Sequence, residues 1–316
     1  LAEQGFVVDS GLAASIVRHA RLIARFAGAE VFLPSGKPLA AGTTLKLPAL
    51  ARTLRAIADS GAAAFYSGQL SRTAVDDLRA TGSIITAEDL AGYKPEWREP
   101  LRGIYRGHTL LTMPPPSSGV TLLQILNVLE GFDPLPAYGT ARRAHLLASA
   151  MQRGFVDRNA LVGDPAFTQV PTNRLTDKSY AAKLRASIGA RATPSPTLSG
   201  GEREETSESG SNTTHYAVVD QAGNAVSTTT TINDLYGSGV YLPTVGIFMN
   251  DEMDDFATRP PQANLYGLIQ GDQNAIAPGK RMLSSMVPTI VIDRAGRPTL
   301  VIGARGGPRI ISGVLQ

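Results

Sequence analysis

The chain contains no cysteine. Disulfides, thiolate catalysis and cysteine-based zinc sites are therefore excluded, while the compartment stays open, because export does not require disulfides. No apolar run approaches the roughly 18 residues that a membrane-spanning helix needs. Histidine is scarce, and His19, His108, His145 and His215 form neither an HExxH motif nor a paired spacing, which argues against a zinc hydrolase. There is no GxSxG, no Walker A sequence, no GxGxxG, and no repeat with a period of about 20–50 residues. An excess of one charge is lacking as well. The 30 Lys and Arg against 27 Asp and Glu leave a net charge of +3, and the signs are interspersed, so no nucleic-acid-binding stripe is expected.

What is present is ordinary for a globular protein: 316 residues, 43% apolar and 18% charged, enough for one large domain or two modest ones. The first two thirds read as mostly helical. Asp9-Ser10 caps a helix running through Ile16 and Ile23 to Phe26. Leu47, Leu50, Leu54 and Ile57 carry helical spacing. Thr86 to Leu90 reads as a helix start with Thr86 as N-cap. Pro95 to Met113 reads as two strands around Arg102-Gly103. Pro114 to Gly119, the run PPPSSG, is a rigid turn into a helix over Leu122 to Leu129, and Ala141 to Asn159 is a further amphipathic helix.

The chemistry concentrates between Thr213 and Phe256. Thr213 to Asp220 has strand composition, Gln221 to Asn224 is a turn, and Ala225 to Thr231 is a second strand, so the pair is a β-hairpin. Just upstream, Gly200 to Asn212 is polar, acidic and glycine-rich, with nothing apolar to bury, and is expected to be a mobile loop. A loop running into a Thr that opens a buried strand is the layout of a self-cleaving precursor. It is also the layout of a linker before an ordinary hairpin, and composition alone does not choose. Asp251, Glu252, Asp254 and Asp255 form an acidic cluster without the spacing of an EF-hand loop. Gly306-Gly307 follows the strand Thr299 to Gly303, and adjacent glycines let backbone N–H groups approach a ligand closely, as an oxyanion hole requires.

These residues together resemble the γ-glutamyltranspeptidase family of N-terminal-nucleophile hydrolases. The resemblance rests on TTHYAVVD at Thr213, GNAVS at Gly223, Thr231 with Asn233, GSGV at Gly237, and NDEMDDF ending at Phe256. It continues through Asn264-Leu265-Tyr266-Gly267, Lys280 to Val291, and Gly306 to Ile311. The PPPSSG turn, Asp157-Arg158 and Gly163-Asp164-Pro165 are similar to large-subunit motifs of the same family.

The resemblance implies an α+β fold, the four-layer αββα sandwich of N-terminal-nucleophile hydrolases. It implies a division at the cut: residues 1–212, the C-terminal part of a large subunit ending in a processing loop at about 198–212, and residues 213–316, the start of a small subunit. On this likeness the chain looks like a fragment lacking both ends of the family's precursor. The implied nucleophile is Thr213, released by cleavage of the Asn212–Thr213 bond, with Thr231 hydrogen-bonded to it and Gly306 and Gly307 as the oxyanion hole. A free N-terminal Thr carries its own base, an α-amine whose ordinary pKa near 8 suits proton transfer at working pH. Glu252, Asp255 and Asn233 would hold the α-ammonium of a γ-glutamyl group, Ser284 and Ser285 its α-carboxylate, and Tyr266 would be a lid aromatic. The implied substrates are glutathione or other γ-glutamyl compounds, with water, an amino acid or a peptide as acceptor. No metal and no cofactor are implied, and the location would be periplasmic or secreted.

Two departures qualify the match. The Arg-Glu-x-Ala-Pro type motif, whose Arg clamps the α-carboxylate in the family, does not occur before Thr213. Ala304-Arg305 stands where a Ser-Pro pair is common. Two rivals remain: a related acylase that cleaves glutaryl amides such as modified cephalosporins, and an unprocessed chain whose role is binding.

Overall fold

A computed structural model of the chain describes residues 1–189, 213–257 and 262–316. The processing loop expected at about 198–212, Asn212 included, lies outside the described residues. The chain packs as two units, one of residues 1–97 and 232–251, the other of residues 98–231 and 252–316. The second unit spans the 212/213 junction in sequence. Helices and antiparallel strands make both units, an α+β arrangement.

In the first unit, helix Ser10–Ile23 starts where the sequence signals it, with the Asp9 carboxylate accepting from the Leu12 N–H at 2.7 Å. Its buried face, Ile16 and Ile23, joins Val8, Phe32 and Tyr241 in one apolar cluster. Helix Pro48–Ser60 has Pro in its first turn and ends at Gly61, whose φ of 68° suits glycine. Helix Gln69–Ala80 was not anticipated; only Ala74, Val75, Leu78 and Ser71 are buried, too sparse a stripe to stand out among polar neighbours. Thr86 and Asp89 complete a reciprocal capping box at the start of Ala87–Gly92.

The second unit is built on an antiparallel sheet of four strands in the order Pro298–Ile302, Thr289–Ile292, His108–Thr112, Leu101–Tyr105. The first hairpin corrects the sequence reading. Its turn is at Arg106-Gly107, both at positive φ (49° and 80°), while Arg102 and Gly103 lie inside the strand, paired with Leu111 and Leu110. Gly103 serves close approach instead: a Cβ there would sit 2.4 Å from Leu123 Cδ2. Leu123 belongs to helix Gly119–Glu130, which is buried from Gly119 through Leu129, as an apolar helix must be. Helix Ala141–Leu161 packs on it at Gly154, where a Cβ would come 2.6 Å from Ile125 Cγ1.

The hairpin Thr214–Val219 and Ala225–Thr230 runs in register from Thr214↔Thr230 to Val219↔Ala225. It packs against strands Thr289–Ile292 and Pro298–Ile302. The expectation of a buried strand is only met at its start. Thr213 is buried, but Tyr216, Val218 and Val219 are exposed.

Candidate active site

Thr213 and Thr231 flank the last pair of the hairpin, Thr214↔Thr230, so strand pairing itself brings them together. Thr213 is 6% exposed, and its Oγ donates to Thr231 Oγ at 3.3 Å. One turn of the pleat further on, His215 Nδ1 shares a 2.8 Å hydrogen bond with the Thr229 hydroxyl. Its Nε2 is buried and has no partner among the described residues. Burial holds the imidazole below its ordinary pKa, which favours the neutral ring. Gly303 makes room for it: a Cβ there would lie 2.1 Å from His215 Nδ1.

Gly306 and Gly307 form the corner between strand Pro298–Ile302 and helix Arg309–Leu315. Both have positive φ, 113° and 56°, conformations that L side chains adopt only with strain. Their carbonyls accept from the Arg309 and Ile310 amides that open the helix, at 3.1 and 3.0 Å, while their own N–H groups have no partner among the described residues. The Tyr266 ring lies on Gly307, where a Cβ would come 2.6 Å from Tyr266 Cε1. Asn264 shapes that loop, its side-chain oxygen accepting from the Tyr266 and Leu268 amides at 3.1 and 3.0 Å. Arg305, before the glycines, is exposed.

Ser284 and Ser285 are held from behind. The Ser284 amide donates to Pro116 O at 2.8 Å, and Ser118 Oγ donates to Ser284 O at 2.6 Å, so the PPPSSG turn is the bracket on which this segment hangs. Ser117 Oγ donates to Met286 O in the same bracket. Behind it lies Arg158, 1% exposed. Its Nε donates to Ser118 Oγ at 2.9 Å and its terminal nitrogens to Ser285 Oγ at 2.9 Å and Asn159 Oδ1 at 3.3 Å. Burial pushes the guanidinium pKa down to about 10, with the charge of Asp255 acting against that shift, so it stays protonated at neutral pH.

Asp255 is itself buried, at the end of the short 3-10 turn Glu252–Asp255, while Glu252 is half-buried. Asn274, fully buried, ties the two arms together: its Nδ2 donates to Asp255 O at 2.9 Å and its Oδ1 accepts from the Leu283 amide at 2.9 Å. The carboxylate of Asp255 and the hydroxyls of Ser284 and Ser285 therefore share one buried scaffold. Asn233 belongs to the first unit. It is buried at a φ of 75°, and its Nδ2 donates to Asp251 O at 3.3 Å. Asn212 lies outside the described residues. Among the described residues no three His, Asp or Glu side chains gather as a metal-holding group, and no helix is long and apolar enough to cross a membrane.

Arg158, Ser118 and Asn274 were not singled out as site residues from sequence. For Arg158 a signal existed. The buried positions of its helix are Leu146, Ala150, Gly154 and Arg158, a strict spacing of four that places a charge on the core stripe, and a buried charge needs partners. For Asn274 there was none, since a lone Asn in a turn-rich loop is unremarkable in sequence.

Comparison with known proteins gives a consistent setting. The family model for gamma-glutamyltranspeptidase matches residues 1–316. The chain is 40% identical over 321 residues to the glutathione hydrolase proenzyme of Escherichia coli K12, covering 100% of this chain and 55% of that protein. It is 42% identical over 321 residues to the acylase ACY 1 proenzyme of Pseudomonas sp. SE83, covering 100% and 54%. Among solved structures, cephalosporin acylase from Bacillus halodurans superposes with a TM-score of 0.82 at 28% identity, covering 100% of this chain and 56% of that one. The chain thus spans about half the length of the curated relatives it matches.

Proposed function

The chain belongs to the gamma-glutamyltranspeptidase family, and from that premise we propose that the whole protein is a self-processing γ-glutamyl transferase or hydrolase acting on glutathione and related amides. One observation carries the reading: Thr213 is buried and its Oγ donates to Thr231 Oγ at 3.3 Å, at the residue where the family's small subunit would begin. In the self-cleavage step, Thr213 Oγ attacks the Asn212 carbonyl carbon and the Asn212–Thr213 C–N bond breaks. The proton lost by Oγ ends on the departing nitrogen, leaving an ester. Water hydrolyses that ester, releasing the Asn212 carboxylate and restoring the Thr213 hydroxyl beside a free α-amine. This divides the chain into the segments 1–212 and 213–316, halves of one catalytic domain in an αββα sandwich.

In turnover the α-amine takes the Thr213 hydroxyl proton as Oγ attacks the γ-glutamyl carbonyl. The Gly306 and Gly307 amides stabilise the tetrahedral oxyanion. The amine leaving group departs with a proton, and water or an amino acid or peptide then takes the acyl group from the Thr213 ester. Glu252, Asp255 and Asn233 hold the α-ammonium, and Ser284 and Ser285 the α-carboxylate, under Tyr266. Charge-assisted contacts of this kind contribute about 1.5–3 kcal/mol each, so together they select the acyl group. The location carried by this reading is periplasmic or secreted, which fractionation of the source cells tests.

A second reading is favoured by a specific observation, the equally close likeness to acylases: cleavage of glutaryl amides by the same Thr213. Glutaryl lacks the α-amine, so Glu252, Asp255 and Asn233 would have no ammonium to hold. Rates of the full-length protein on γ-glutamyl and glutaryl p-nitroanilides separate the two. Faster γ-glutamyl turnover is expected, faster glutaryl turnover would establish the acylase, and no turnover of either would leave a binding protein.

A further inference from the structure

Arg158 is the largest fully buried side chain among the described residues, and the reaction as written above does not use it. A guanidinium only donates hydrogen bonds. The oxygens it meets, Ser118 Oγ and Ser285 Oγ, both at 2.9 Å, must therefore accept from it. That biases where their own protons go. Ser118 Oγ, accepting from Arg158, donates onward to Ser284 O at 2.6 Å. Ser285 Oγ, with one of its two lone pairs accepting from Arg158, has its O–H to give. A serine hydroxyl in water is indifferent between donating and accepting; a guanidinium at one lone pair biases this one towards donating. A hydroxyl so biased, with a buried positive charge behind it, is suited to an anion.

We propose that Arg158 is a positioning residue that fixes the Ser285 hydroxyl as a hydrogen-bond donor to a carboxylate at the far end of the acyl group. Through Ser118 it also holds the neighbouring Ser284 backbone. The proposal rests on the reading that Ser284 and Ser285 bind the acyl donor. It makes Arg158 a determinant of selectivity for carboxylate-bearing donors, whether γ-glutamyl or glutaryl. Arg158 stays protonated at neutral pH, and Asp255, on the same scaffold, contributes to keeping it so. Lysine cannot replace it, because a single ammonium has no planar fork to span two hydroxyls.

The test uses the full-length protein and three p-nitroanilides: γ-glutamyl, glutaryl, and 4-aminobutyryl, which is γ-glutamyl without its carboxylate. Arg158→Lys is expected to raise KM for the γ-glutamyl anilide about 10-fold or more, with kcat changed by less than about threefold. The glutaryl substrate should lose a similar factor in kcat/KM and the 4-aminobutyryl substrate almost none. Ser118→Ala, which keeps the charge but removes one anchor of the guanidinium, should give a smaller loss of the same kind, and it decides the matter if Arg158→Lys fails to fold or to self-cleave. An equal loss on all three substrates, a fall confined to kcat, or an unchanged KM in the folded variants would overturn the proposal. Failure of the underlying reading looks different, because Ser285→Ala would then leave KM unchanged for both carboxylate-bearing substrates, whereas failure of the proposal alone leaves Ser285→Ala impaired and Arg158→Lys not.

Discussion

Gly307→Ala tests the geometry of the corner that would form the oxyanion hole. Two costs can be read from the structure. At a φ of 56° an L side chain carries about 1–2 kcal/mol of backbone strain. The new Cβ would also lie 2.6 Å from Tyr266 Cε1, a contact that forces the ring or the corner to move, at an overpacking cost of about 1–3 kcal/mol. The sum predicts a loss of roughly 2–5 kcal/mol of stability. Misdirecting one oxyanion donor should add a kcat loss of about 10²–10³-fold. A double-mutant cycle with Tyr266→Ala separates the parts. Removing the ring should recover the steric share of the stability loss, giving a coupling of about 1 kcal/mol or more, and should leave the backbone share. Urea unfolding of the full-length protein reads the first quantity and anilide turnover the second. Strict additivity in the cycle would refute the placement of Tyr266 on Gly307, and unchanged kcat in Gly307→Ala would refute its role at the oxyanion.

Thr231→Val keeps the shape and removes the acceptor 3.3 Å from Thr213 Oγ; the loss of a neutral hydrogen bond, about 0.5–1.5 kcal/mol, predicts a fall of about 2- to 10-fold in kcat, read on the anilide substrate. Gly303→Ala places a methyl where His215 Nδ1 lies 2.1 Å away, so a denaturing gel should show a smaller processed fraction and calorimetry a lowered Tm. His215 is held below its ordinary pKa by burial, so below about pH 6.5 the unfolded chain binds a proton that the folded chain refuses. Stability contributed by the neutral ring is therefore present above that pH and lost as the pH falls. His215→Gln should flatten the dependence of unfolding free energy on pH between about 5 and 6.5, while an unchanged slope would assign it to other groups.

Much of this was legible in the sequence because the signals were local. The hairpin from Thr214 to Thr230 follows from strand composition on either side of a Gly-Asn turn, and its register then forces Thr213 against Thr231. Asp9 and Thr86 announce their helices by capping chemistry, whereas Ser118, before helix Gly119–Glu130, makes no side-chain cap and spends its hydroxyl on Ser284 O. What failed was glycine read without its surroundings. Gly103 resembles a turn residue, yet its lack of a Cβ serves Leu123 across the sheet, and the turn falls at Arg106-Gly107. The exposure of Val218 and Val219 was invisible too, because β-propensity reports fit to a pleated surface and not what covers it. The scaffold of Arg158, Ser118 and Asn274 joins residues far apart in the chain, and no local pattern encodes which hydroxyl a buried guanidinium will meet.

The central claim is that Thr213 becomes a free N-terminal nucleophile. A denaturing gel with N-terminal sequencing of the full-length protein addresses it most directly. Two bands are predicted, the smaller beginning Thr-Thr-His-Tyr, and a Thr213→Ala chain should remain whole. A single intact wild-type band after long incubation, or cleavage of the Thr213→Ala chain at the same bond, would contradict it.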